Sequence, residues 1–123
     1  MKMPIAEIID RYTIVSLKFE KIGPQFVEEY KAYKKEIDDM DKTFLVRGWI
    51  SNLLRINRRI WDLEAQLRQG EDEALGLEEI GRRAIAIRNK NRERVAIKNE
   101  ISSSTGTGFV DGKMDHVSKQ RDS

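Results

Sequence analysis

Asn57, Trp61, Glu64 and Arg68 stand four, three and four residues apart. On a helix that spacing sets an amide, an indole, a carboxylate and a guanidinium along one line. Arg88, Asn91, Arg94 and Lys98 are spaced three, three and four further along the chain, and Asp10 and Thr13 form a smaller polar pair near its start. If the three sets converge, amides and carboxylates can hydrogen-bond a base or a sugar, while guanidinium and ammonium groups hold phosphate. A plainer arrangement uses the same residues: Glu64 and Arg68 pair on the surface, Asn91 sits at a helix crossing, and Lys98 runs its stem over apolar surface to water. Both readings stay open at this level.

Other chemistries have less material. His116 is the single histidine and no serine has a nucleophile motif around it, so a catalytic triad has little material. Gly106-Thr107-Gly108-Phe109-Val110-Asp111-Gly112-Lys113 resembles a phosphate-binding loop, but no strand precedes it, the glycine spacing differs by one, and Met114 stands where a magnesium-ligating hydroxyl belongs. It reads as a hinge, although its amides and Lys113 could close over an anion. Glu36, Asp38, Asp39 and Asp41 lack the loop and glycine of a calcium site and read as a solvated acidic helix end. Helical nucleotide pyrophosphatases hold magnesium with inward carboxylates. Here the inward candidates, Asp10 and Glu64, are sparse and lie among cations, which favours binding an anion over holding a metal. No metal and no cofactor are expected.

The elements that must position these groups follow from apolar spacing. The first helix should start near Pro4 and stop at Gly23-Pro24, with Ile5, Ile8, Tyr12, Val15, Phe19 and Ile22 alternating steps of three and four. Ile9, Ile14 and Leu17 lie outside that seam, so this helix should contact two neighbours, one of them in another subunit. A second helix from about Gln25 to Met40 repeats the seam with Phe26, Tyr30, Tyr33, Ile37 and Met40 and should pack antiparallel on the first. The third, from about Thr43 to Gln69, carries the broadest apolar band and is the core helix. Residues 70–76 read as a turn flanked by glycines. The fourth helix carries Ile80, Ala84, Ile87, Val95 and Ile101 on one stripe with Asn91 and Lys98. The serine run after Ile101 should not propagate it.

The predicted fold is therefore all-α: four helices in antiparallel hairpins, oligomeric and most simply dimeric, with a helical domain over 1–101 and a Gly/Ser-rich flexible segment over 102–123. Composition alone leaves that segment disordered. Phe109 argues otherwise, because docking it would bury apolar surface worth roughly 1.5–3 kcal/mol and bring Lys113 and His116 to the mouth of a site as a lid. One domain suits 123 residues. The absence of cysteine excludes disulfides, thiolate zinc sites and a cysteine nucleophile, and fits a reducing cytoplasm. No apolar run is long enough for a membrane span. The net charge of +2 hides an asymmetry, ten of twelve arginines lying between Arg47 and Arg94, so an anionic partner should meet the second half.

Glu7-Ile8-Ile9-Asp10-Arg11-Tyr12-Thr13-Ile14, Asn57-x-x-x-Trp61-x-x-Glu64, Ile87-Arg88-Asn89-x-Asn91-x-x-Arg94-x-x-x-Lys98-Asn99-x-Ile101 and Gly108-Phe109-x-Asp111-x-Lys113 resemble the motifs of a small family of uncharacterised all-helical proteins of bacteria and tailed phages. The likeness covers most of the chain and is nearer the phage versions. It implies the helical fold, a host-cytoplasm location for a phage-encoded chain, and a choice of site residues, but no activity. In size, helicity and cationic face the chain is also similar to phage sponges that sequester nucleotide immune signals, without a diagnostic motif. The leading expectation is binding without turnover of a phosphorylated small molecule, foremost a nucleotide. The residues are Asp10, Thr13, Asn57, Trp61, Glu64, Arg88, Asn91, Arg94, Lys98 and Lys113. A nucleic-acid-binding helical module, or a helical enzyme acting on a nucleotide or sugar phosphate, are the alternatives.

Overall fold

A computed structural model describes residues 2–40 and 44–106. Its elements are all helical: α1 (Ile5–Lys21), a 3₁₀ turn (Pro24–Phe26), α2 (Val27–Asp39), α3 (Phe44–Asp72) and α4 (Leu77–Thr105). Phe109, Lys113, His116 and the lid expected around them lie outside the described residues.

The Ile8 amide donates to the Pro4 carbonyl at 3.1 Å to open α1, and Glu7 in the first turn with Lys18 and Lys21 in the last complement the helix dipole. The helix stops at Gly23, whose φ of 142° is rarely adopted by residues with a side chain. Pro24 then pre-sets the 3₁₀ turn that reverses the chain. The expected seam forms as far as Phe19, whereas Ile22 at its end is 51% exposed. Tyr30 of α2 stacks on Tyr12 with ring centroids 5.9 Å apart and meets Phe19 at 5.2 Å, and Tyr33 and Ile37 are buried beside them.

The other apolar face of α1 needs no second subunit. Ile9 and Leu17 are buried within the chain and Ile14 is half-buried, with α3 and α4 packed against α1. The sequence argument for an oligomer rested on that face being uncovered, and this premise falls because the α3/α4 hairpin supplies the missing partner.

Each arm of that hairpin has 29 residues, about 43 Å at 1.5 Å per residue, against about 26 Å for α1. Lys21 at the end of α1 lies 3.9 Å from Asp62, so α3 and α4 run on past α1. The turn between them is tighter than 70–76. Gly70 is a buried helical residue at which a Cβ would stand 3.1 Å from both Ile80 and Arg83, so it allows close approach of the two arms instead of bending the chain. The bend falls at Ala74, with φ of 54°, where the Leu75 amide donates to the Gly70 carbonyl at 3.0 Å.

At its far end α4 passes through the serine run to Thr105. Ile101 and Ser102 are buried, and tertiary packing of that kind overrides weak propensity. The Thr105 hydroxyl donates to the Ile101 carbonyl at 2.8 Å, and Gly106, in the left-handed region at φ 63°, ends the helix by donating its amide to Ser102. Among the described residues no helix is long and apolar enough to cross a membrane.

Candidate functional site

Asp10 lies on the face of α1 that meets both α3 and α4, and it is 1% exposed. A carboxylate can persist there only if its lone pairs are met by donors. Its Oδ1 accepts from Asn57 Nδ2 of α3 at 2.9 Å and from Arg94 Nε of α4 at 3.0 Å, and its Oδ2 accepts from Arg94 Nη2. The Lys98 ammonium, one turn further along α4, is 3.7 Å from Oδ2 and donates to Glu7 of α1. The Thr13 hydroxyl donates to the Asp10 carbonyl at 2.7 Å and accepts the second Asn57 N–H at 2.9 Å.

Two carboxylates of α1, three residues apart, thus face two cations of α4, four residues apart, and an α3 amide donates to Asp10 and Thr13 of α1. Burial pushes the Asp10 carboxyl up. The hydrogen bonds from Arg94 and Asn57, with the positive charges of Arg94 and Lys98, outweigh burial and hold it below its ordinary 3.8. Lys98 therefore does not reach to water. Buried to 7% exposure, it belongs to an ion network.

The network forms one end of a cleft of about 280 Å³ beside the C-terminal half of α1. Ile14 and Leu17 of α1 with Ile60 and Trp61 of α3 give its apolar lining, and Lys18, Glu64, Asn91 and Arg94 supply further polar groups. Lys18 lies 5.5 Å from the Phe26 ring centre and has no carboxylate partner among the described residues. Asn57 also lines the cleft while 6% exposed. Its two N–H groups are taken, and among the described residues nothing donates to its Oδ1. A buried amide oxygen left without a donor costs on the order of 1–3 kcal/mol. A larger depression of about 450 Å³ on the outer face of α3 is lined by residues of that helix alone, and its Arg58 is held by Glu20 at 2.6 and 3.1 Å. With no second wall, it has the shape of a helix surface.

Asp10, Thr13, Asn57, Arg94 and Lys98, all candidates from spacing, come together in the network. Trp61, Glu64 and Asn91 join Asn57 and Arg94 in the cleft. The surface pairing of Glu64 with Arg68 does not form, since Glu64 makes no ion pair among the described residues. Arg88 is exposed and is not part of the cleft lining. Ala84 of the expected α4 stripe is exposed too. Glu7 and Lys18 were not in the candidate set. Glu7 had a signal, because Glu7-x-x-Asp10 places two acids on one side of a helix to match Arg94-x-x-x-Lys98. Lys18 had none, being a single lysine beside an apolar seam.

Among the described residues no group of three or more His, Asp or Glu is placed to hold a metal ion. At the acidic end of α2, Asp38 and Asp39 pair instead with Lys34 and Lys35, each at 3.1 Å. Compared with family models, curated proteins and solved structures, the chain matches none.

Proposed function

We propose that the cleft between α1, α3 and α4 binds a small phosphorylated molecule, foremost a nucleotide, and releases it unchanged. The observation that carries this reading is the disposition of its two lining cations. Arg94 is committed to Asp10, whereas Lys18 lines the cleft with no carboxylate partner among the described residues and is placed to meet an anionic group. Trp61 and the rest of the apolar lining suit a flat ring. Binding without turnover is favoured because Asp10 is held ionised with both oxygens accepting hydrogen bonds, which makes it a poor proton acceptor, and because Glu64 is the single carboxylate among the described lining residues, with no second one to share acid and base roles.

The cleft is close to the lower bound of about 300 Å³ for small-molecule sites, which suits one mononucleotide or sugar phosphate. A sponge for larger cyclic nucleotides would have to combine clefts from two protomers. Self-association, part of the same proposal, has its best remaining seat on the outer face of α4, where Leu77 and Ile85 are 90% and 48% exposed. The helical family that the motifs resemble and a cytoplasmic location fit the reading and add no chemistry to it.

The direct test is mass spectrometry of small molecules released by heat from the purified protein. A phosphorylated compound recovered intact supports the proposal, and a product of its cleavage would point to an enzyme. Nucleic-acid binding is favoured by one feature, the exposed Arg47, Arg55 and Arg59 along outer α3. Salt separates the readings: several phosphate contacts give a steep log–log loss of affinity, and one small anion a shallow one.

A further inference from the structure

The Asn57 amide has a determined orientation. Its Nδ2 faces Asp10 Oδ1 and Thr13 Oγ1, each at 2.9 Å. The ionised carboxylate has only lone pairs to offer, and the Thr13 hydroxyl proton is directed to the Asp10 carbonyl at 2.7 Å. Turning the amide over would set its oxygen against two oxygens with no proton to give. Oδ1 therefore points away from the network, on a side chain that lines the cleft and is almost wholly buried. A water there would bridge Asn57 Oδ1 to polar groups of the same lining such as Asn91, and a ligand donor can take its place.

Resting on the reading of this cleft as a ligand site, we infer that its ligand enters ring first, an exocyclic amine of an aminopurine or aminopyrimidine nucleotide donating to Asn57 Oδ1. The ring lies along Trp61 and the phosphate faces outward to Lys18. A sugar entering first would set several hydroxyls against isoleucine and leucine side chains, where they find no partners. A ring with one amine matches apolar side chains beside a buried amide oxygen that has no donor among the described residues. Asn91, half-buried on the α4 side of the cleft, can donate to a ring nitrogen beside that amine.

The test uses the full chain and changes the ligand, so folding is not disturbed. AMP and CMP are titrated against the purine riboside and 2-pyrimidinone riboside 5′-monophosphates, which lack the amine, with inorganic phosphate as a probe of the mouth alone. Affinity is read by calorimetry, and location by the Trp61 indole N–H and Asn57 amide resonances. Aminated nucleotides should shift both resonances and bind tenfold or more tighter than their counterparts. Equal affinity of each pair would overturn the inference while leaving the cleft a nucleotide site. Shifts with phosphate but not with AMP or CMP would overturn ring-first entry. No response to any probe would remove the underlying reading and the inference with it.

Discussion

Replacing Arg94 by methionine should destabilise the fold by about 2–3 kcal/mol at neutral pH. The change removes two charge-assisted hydrogen bonds to a carboxylate that is 1% exposed. Stranding one member of a buried ion pair costs roughly 3–5 kcal/mol. Two features reduce that here: the Arg94 side chain is 26% exposed, and the Lys98 ammonium stays 3.7 Å from Asp10. With stability on the order of 5–15 kcal/mol for a domain of this size, and a urea slope of about 1–3 kcal/mol per molar, the unfolding midpoint followed by helical circular dichroism should fall by about 1–2 M. The effect carries a pH signature. Because the folded Asp10 carboxyl lies below its ordinary 3.8, its contribution is fully present above about pH 4 and is lost as pH falls through the folded value. Without Arg94, burial dominates and the carboxyl protonates at higher pH, so the gap between wild type and variant should narrow in acid. Adding Asp10→Asn to Arg94→Met should cost less than the two single changes summed, by 1 kcal/mol or more. A variant within about 0.5 kcal/mol of wild type at pH 7, or a gap unchanged down to pH 3, would refute the claim that this pair is buried and coupled.

Three further outcomes follow from the same geometry. Ala74→Gly should raise thermal stability by about 0.5–1 kcal/mol in a calorimetric scan, since Ala74 holds a φ of 54° that glycine adopts without steric cost. Truncation after Gly106 should leave the circular dichroism of the helices intact, since α4 ends at Thr105. Truncation after Ser102 should instead fray the last turn of α4. If the outer face of α4 joins two copies, Ile85→Lys should shift the sedimentation of a micromolar sample from dimer to monomer, and a wild type that is monomeric at every dilution would end the dimer proposal.

The three-and-four spacing in α1, α2 and α3 made most of the fold legible, because one covered face leaves a periodic trace. Where several faces are covered or few are, the trace blurs. α4 packs on α1 and α3 yet leaves Ala84 and Ile85 exposed, so its stripe was read one residue too generously at Ala84. Gly70 looked like a turn residue because a glycine required for close helix approach and one required for a bend carry the same letter. The serines after Ile101 looked like a stop because their weak propensity is visible and the burial of Ser102 is not. Of the candidate site, the polar residues beside apolar seams were legible as a set. Which would neutralise which was not: Asp10 and Arg94 are 84 residues apart, and their pairing depends on the register of α1 against the α3/α4 hairpin. That pairing matters to the proposed function, since it commits a cation expected to hold phosphate and, on that proposal, leaves the task to Lys18.

The central claim is most directly tested by mass spectrometry of the small molecules released from wild-type protein and from Lys18→Gln prepared in parallel. The account predicts a phosphorylated, amine-bearing nucleotide released intact from wild type, reduced tenfold or more in the variant, whose helical signal should be unchanged. Equal recovery from both proteins, or a ligand without phosphate, would contradict it.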